Sequence, residues 1–332
     1  MIMSMSLGLD SAMMIEVQAN RASALFRQAA DTLNQLVSAD SSETSDAQIF
    51  SYWCKFYGEN PDEREDSIKL VESKIYNTLE SKGTVSKLLK QHDILDVFPA
   101  TFLDVQAAIA HPAPVAIWFV KPFHLSGGRD IQVVSAADLP NFELPKFNLI
   151  QAGVEDIQLI DGKKFTARIY LLLWNQQVYL FDDGFAMIHA PQYQKASTDY
   201  SIQVDHRGYD KAESAVKVTL ASEVPGFDAM MSKAKAAAVR IMPILAGAIA
   251  ATSSKRYLLL GIDLLPLENG EVKFIEINAI PNFIHSKKVN QTLNVPFFEH
   301  TMRVIYGLGS DRLTSLTHHK PIEPIAVRSA AN

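Results

Sequence analysis

The stretch "GIDLLPLENGEVKFIEINAIPN", Gly261 to Asn282, reads as two apolar strands joined by a tight turn at Glu268–Gly270. It sets Asp263, Glu276 and Asn278 among aliphatic side chains. In a strand, side chains two apart share a face. Glu276 and Asn278 therefore point the same way, along with Val272 and Phe274, while Asp263 lies on the partner strand. An unpaired buried carboxylate is costly, so these acids require something positive. Three oxygen donors of this kind suit Mg²⁺, which keeps some waters and takes the rest of its shell from phosphates. The spacing alone leaves equally open a hairpin whose polar ends simply face solvent.

The chain has 332 residues, 48% of them hydrophobic and 20% charged, with a net charge of -6. That is the profile of a globular protein long enough for two or three subdomains. The negative balance argues against a nucleic-acid partner. Cys54, the single cysteine, permits neither an internal disulfide nor a cysteine zinc site and reads as a small core residue. The apolar run Ile241–Ala251 is too short to span a bilayer and contains Pro243. No basic segment precedes the apolar residues at the N-terminus. The expectation is a cytoplasmic protein with no membrane partner.

Helical spacing of apolar residues predicts an amphipathic helix over 11–38 and another over 62–82, so the first ninety residues read as mostly helical. "VAIWFV" (115–120) is a strand ending on Lys121, followed by a glycine turn at 126–130 and the strand "IQVV". "RIYLLLW", "VYLFDD" and "FAMIHA" read as three strands of an antiparallel meander. Residues 228–252 form a long helix kinked at Pro243, the opening hairpin follows, and "VPFFEHTMRVIYGLG" is a last helix. Residues beyond about 313 read as a tail. The order is α+β, without regular βαβ alternation.

Two places supply positive charge. Lys121 stands at a strand end, six residues before Gly127-Gly128-Arg129. A lysine beside a glycine turn can meet phosphate, with backbone N–H groups adding donors, although the turn lacks a Walker ending. Lys164 and Arg168 lie four apart, and Arg168 opens an apolar strand. Arginine suits bidentate recognition of carboxylate or phosphate. Solvated strand ends are the plain alternative at both places. No nucleophilic triad stands out, and the histidines show no metal spacing.

The order of these pieces resembles the ATP-grasp superfamily, most of all its tubulin–tyrosine ligase-like family. "LLGIDLLP" with "FIEINAIPN" looks like the family's acidic C-terminal signature. "WFVKPFHLSGGRDI", "LIQAGVEDIQLIDGKKFTARIY", "YLFDDGFAMIHAPQYQKASTDYSIQ" and "SKLLKQHDILDVFPATF" are similar to further family segments. The likeness runs in order from about Ser86 to Tyr306. It departs at Thr166 (Asp in the family pattern), Met187 (Arg), Ala196 (His), Asp199 (Asn) and Asp130 (Gly). These departures touch the substrate side and leave the metal set whole.

The resemblance implies an ATP-grasp fold, two α+β lobes gripping ATP. It implies a mostly helical region at 1–90, a central lobe at 91–154, a C-terminal lobe with the metal site at 155–312 and a tail at 313–332. By motif position, Lys121 and Lys164 would contact ATP phosphates, with Lys87 also reaching the nucleotide. Gly127 and Gly128 would lie in the loop over the phosphates. Gln151, Ala152 and Val154 would hold adenine. Asp263, Glu276 and Asn278 would bind Mg²⁺, while Lys164 and Arg168 would serve the chemistry. The implied activity is an ATP-dependent carboxylate–amine ligase working through an acyl-phosphate, joining an amino acid or small amine to a peptide or protein carboxylate. The alternatives are a non-catalytic ATP-binding regulatory module and a peptide or small-molecule ligase of the wider superfamily.

Overall fold

The computed structural model describes residues 14–38, 47–205 and 214–317. The first residues of the predicted N-terminal helix and the tail from 318 onward, with His318 and His319, lie outside them.

In chain order the elements begin with β1 (Ile15–Ala19), α1 (Ser23–Ser38), β2 (Gln48–Tyr52), β3 (Ile68–Leu70), α2 (Ser73–Glu80) and α3 (Lys82–Gln91). The middle of the chain forms β4 (Thr101–Phe102), α4 (Val105–Ile109), β5 (Ile117–Pro122), β6 (Gln132–Ser135), β7 (Asn148–Ala152) and β8 (Leu159–Ile160). Then come β9 (Lys163–Trp174), β10 (Gln177–Ile188), α5 (Tyr200–Gln203), β11 (Lys217–Leu220), α6 (Phe227–Arg240) and α7 (Met242–Ala251). The chain closes with β12 (Arg256–Pro266), β13 (Val272–Asn278), α8 (Lys287–Val289), α9 (Val295–Ile305) and β14 (Leu313–Ser315).

Two sheets result. A large one has the path β1-β2-β3-β12-β9-β10-β11, with β13 beside β12, and a small one runs β4-β7-β5-β6. Strands β1, β2, β3 and β12 pair in parallel, whereas β9, β10, β11 and β13 join antiparallel.

Four readings of the sequence need correction. Residues 11–38 are not one helix: Ile15–Ala19 is a strand, and α1 starts only at Ser23. Likewise 62–82 holds the strand Ile68–Leu70 before α2. These short strands are paired in parallel with residues far along the chain, Lys69 with Arg256 for instance, so local periodicity carries no trace of them. "VYLFDD" and "FAMIHA" are one strand, β10, with an irregularity between Leu180 and Gly184. Asp183 holds it, accepting from the Gly184 N–H at 2.7 Å and from Ser222 Oγ at 2.8 Å. At the far end, the first residues read as tail form β14 on β10. The break at Pro243 is real: α6 and α7 meet at a 69° bend. Among the described residues no single helix is long and apolar enough to cross a membrane.

After Arg168 the run "IYLLLW" is apolar because both faces of β9 are covered. Ala167, Ile169, Leu171 and Leu173 join a core with α2, α3, α6 and α7. Tyr170, Leu172 and Trp174 join a second core with α1 and α9. Strand β12 divides the same way, with Leu258, Leu260, Ile262 and Leu264 in the first core and Tyr257 and Leu259 in the second. The second face changes character toward one end of these strands, and the site begins there.

Candidate active site

On β9 the row that ends in Tyr170, Leu172 and Trp174 starts with Lys164, Thr166 and Arg168, since side chains two apart share a face. On β12 the matching row is Tyr257, Leu259, Gly261 and Asp263. Asp263 stands opposite Arg168 on one side and Glu276 on the other, and Phe185 is opposite Arg168 on β10. Apolar core thus gives way to a charged row across three neighbouring strands, flanked by Phe185 on β10. That row lines a cavity of about 1030 Å³, together with Phe119, Lys121, Gly127, Gly128, Gln151, Ala152, Val154 and Asn278. The small sheet supplies the opposite wall through β5 and β7.

The question raised by the opening hairpin has a direct answer: each carboxylate meets a cation. Arg168 donates from Nε to Asp263 Oδ1 at 2.6 Å and from Nη2 to Oδ2 at 2.7 Å. This parallel pair is the geometry that a guanidinium offers a carboxylate. Asn278 Nδ2 also donates to Asp263 Oδ2, at 3.2 Å. Burial works against the Arg168 charge, but Asp263 overrides it and raises the guanidinium above its ordinary value. Lys82 Nζ lies 2.8 Å from Glu276 Oε1 and donates to the Leu125 carbonyl at 2.6 Å.

The other lysines have neutral partners. Lys121 donates to Gln151 Oε1 at 2.5 Å, and Lys164 to the Gln203 carbonyl at 2.7 Å. Both ammonium groups also face the Phe119 ring, at 5.6 and 5.1 Å from its centre. Burial lowers Lys164 to about 7, helped by the like charge of Lys121. Burial lowers Lys121 to about 8, partly offset by Glu276. Two cationic side chains set in a cavity wall with only neutral partners form a receptor for an anion.

The glycine turn sits over this wall. Gly127 and Gly128 have left-handed backbones (φ 67° and 73°), and Asp130 keeps that form (φ 56°) where the family pattern has glycine. Asp is among the non-glycine residues that tolerate it. Tyr200 on α5 donates to the Gly128 carbonyl at 2.9 Å, tying the turn to the large sheet's side. Thr166 and Met187, two of the five departures from the family pattern, are cross-strand partners. Where the family pattern has an acid and a base, this cross-strand pair is neutral, so it carries no charge that would need a partner.

The cavity brings together all the sequence-selected site residues except Lys87, which is exposed on α3 and does not line it. The lysine that α3 turns toward the site is Lys82, at its first position, which pairs with Glu276 and lines a small adjoining pocket with Lys121 and Gln151. A cation there opposes the helix dipole, and that mismatch was the available signal for a lysine kept for a partner. Phe119, Glu80 and Arg21 also line the cavity and were not singled out from the sequence.

Two carboxylates and an amide offer hard oxygen donors, the chemistry Mg²⁺ takes. Asn278 spends its Nδ2 on Asp263 and keeps its Oδ1 for another partner, so the set fits such an ion. Among the described residues, no group of three or more His, Cys, Asp and Glu side chains could hold a metal; Asn278 and phosphate oxygens would have to complete this one.

No curated protein matches the chain. Residues 54–206 match the model of the Tubulin-tyrosine ligase family, a family of the ATP-grasp superfamily, and over that segment the chain is similar to it.

Proposed function

We propose that this protein is an ATP-dependent carboxylate–amine ligase, with the nucleotide held between the small sheet and the large one. The observation that carries the reading is the cavity's charge pattern. It has two carboxylates already matched to cations, Asp263 with Arg168 and Glu276 with Lys82, beside two lysines that have neutral partners. The matched family generally comprises ATP-dependent ligases.

In this reading Gln151, Ala152 and Val154 hold adenine, and Lys121 and Lys164 take the phosphates, with Gly127 and Gly128 over them. Asp263, Glu276 and Asn278 would hold Mg²⁺, which would screen the phosphate charge. Arg168 receives the substrate carboxylate. Its oxygen attacks the γ-phosphorus, the bond to the β-phosphate oxygen breaks, and ADP leaves. The amine nitrogen then attacks the acyl carbon, and phosphate departs with the electron pair of the broken C–O bond. Of the two protons lost by the ammonium, one goes to phosphate and one to solvent. Positioning and electrostatics do most of this work. The amine belongs to an amino acid and the carboxylate to a peptide or protein. The neutral Thr166–Met187 pair makes this part of the wall less suited to a densely charged acceptor.

The test is ADP release from Mg·ATP with free amino acids and peptides, beside calorimetric nucleotide titration of the parent and Glu276→Gln. Stimulated release, and weaker Mg²⁺-dependent binding in the variant, are expected. A parent that binds no nucleotide overturns the reading. A second reading, an ATP-binding regulatory module, draws on the loss of charge at Thr166 and Met187. It predicts nucleotide binding that no acceptor converts to ADP release.

A further inference from the structure

Beyond Arg168 the cavity reaches residues outside the matched segment. Arg21 stands in the turn between β1 and α1 and faces the cavity. Asn20 fixes that turn, donating to the Cys54 carbonyl at 2.8 Å and accepting from the Cys54 N–H at 3.0 Å. The guanidinium lies over the Tyr57 ring, 4.9 Å from its centre, and donates to the Ile280 carbonyl at 3.2 Å and to Asn282 Oδ1 at 3.5 Å. Each of these partners is neutral. Two of a guanidinium's five N–H groups are used here, so the charge and most of the donors remain for a ligand.

Glu80, at the end of α2, faces the same cavity. Its Oε1 accepts from the Ala279 N–H at 2.6 Å and the Ile280 N–H at 2.9 Å. Arg21 and Glu80 thus grip one residue, Ile280, the first by its carbonyl and the second by its N–H. The next residue touches the chemistry. A Cβ placed on Gly261 would stand 3.0 Å from Pro281 Cβ and 3.1 Å from Arg168 Cδ, so the Arg168 stem and Pro281 crowd one point. A cation and an anion therefore face the cavity one residue along from the group assigned to the reacting carboxylate. Phe56 and Tyr57, 85% and 54% exposed, form an aromatic rim beside them.

A cation and an anion that face one cavity and hold the carbonyl and the N–H of the same residue, with donors and an oxygen to spare, match a zwitterion. We propose that Arg21 and Glu80 bind the α-carboxylate and α-ammonium of a free amino acid, the amine co-substrate of the ligase reaction. This rests on the ligase reading above and names where its second substrate sits.

The test is binding, not turnover. The full chain, with Mg²⁺ and the non-hydrolysable analogue AMP-PNP, is titrated calorimetrically with the twenty common L-amino acids. Each binder is compared with its α-amide and with its α-hydroxy acid. The parent should bind at least one amino acid at least ten-fold tighter than either analogue. Arg21→Gln should erase the preference over the amide and keep that over the hydroxy acid, with Glu80→Gln doing the reverse. Damage to the fold would weaken all three ligands alike, and Arg21→Lys, which keeps the charge, should restore part of the preference. Undiminished preferences in Arg21→Gln overturn the assignment. So does a parent that binds AMP-PNP but no amino acid, or an Arg21 dependence seen only for peptides with a free rather than an amidated C-terminus. Failure to bind AMP-PNP overturns the ligase reading instead.

Discussion

In the proposed nucleotide site, Lys164 would link binding to pH. Its ammonium is buried against Phe119 and the Gln203 carbonyl and is lowered to about 7, so it is about half charged in the free protein at neutral pH. A phosphate group selects the charged form. If only that form binds, the apparent dissociation constant scales as one plus ten to the power of pH minus pKa. Between pH 6 and 8.5 this weakens binding about thirty-fold through Lys164 alone. Lys121, lowered to about 8, adds about four-fold over the same range. Binding at pH 8 should accordingly take up about 0.9 proton at Lys164 and about 0.5 at Lys121. The assay is calorimetric titration with AMP-PNP and Mg²⁺ in buffers of different ionisation enthalpy, on the parent and on Lys164→Arg, which stays charged throughout. Titration of the nucleotide itself is common to both proteins and cancels in their difference. A parent and variant with the same pH slope and proton uptake refute the reasoning. Lys164→Gln serves as a second comparison, since it also cannot titrate. The unliganded fold carries the opposite sign. An unfolded lysine stays charged to about pH 10.4, and the folded one only to about 7. The unfolded chain therefore binds more protons across that window, and stability rises with pH there, with the cost fully present below it.

Three further outcomes follow from the geometry. Lys82→Ala removes the partner of Glu276 and should weaken Mg²⁺-dependent nucleotide binding at least ten-fold, while Lys87→Ala on the exposed side of α3 should leave it unchanged; equal effects would return Lys87 to the site. Arg168→Lys keeps the charge but loses the two-pronged grip on Asp263. It should lower acceptor-stimulated ADP release by roughly 10²–10³ with nucleotide affinity changed only a few-fold, and normal turnover would count against the role. In Gly184→Ala the new Cβ would stand 2.1 Å from the Arg168 carbonyl oxygen. The strand must shift, at a cost of about 1–3 kcal/mol, read as a lower urea midpoint with unchanged slope; an unchanged midpoint would show that the irregularity in β10 absorbs the methyl group.

Some of this protein was legible in its sequence because the information is local. The hairpin 261–282 has a short turn and local alternation, so the shared face of Glu276 and Asn278 could be read directly; the expectation that Val272 and Phe274 join them fails, because a bulge at Ile275 turns those two into the core with Ile277. The strand ahead of Lys121 and the row containing Lys164 and Arg168 follow the same rule. Pro243 announced its bend through its own ring. What tertiary structure alone decided involves partners distant along the chain. Strands β1, β2 and β3 are stabilised by parallel neighbours, and β3 finds β12 across almost the whole intervening sequence, so a five-residue strand beside a sixteen-residue helix was absorbed into the helix by periodicity. Lys87 was carried over on a loose motif, and only the docking of α3 against Phe123 and Glu276 shows that Lys82 is the lysine turned inward. Arg21 and Glu80 carry no spacing that relates them. They are brought to one place because Arg21 donates to the carbonyl and Glu80 accepts from the N–H of Ile280, more than 190 residues away along the chain. Alternation and turn chemistry are properties of a few consecutive residues, whereas the pairing of charges across a cavity exists only once the sheets have closed around it.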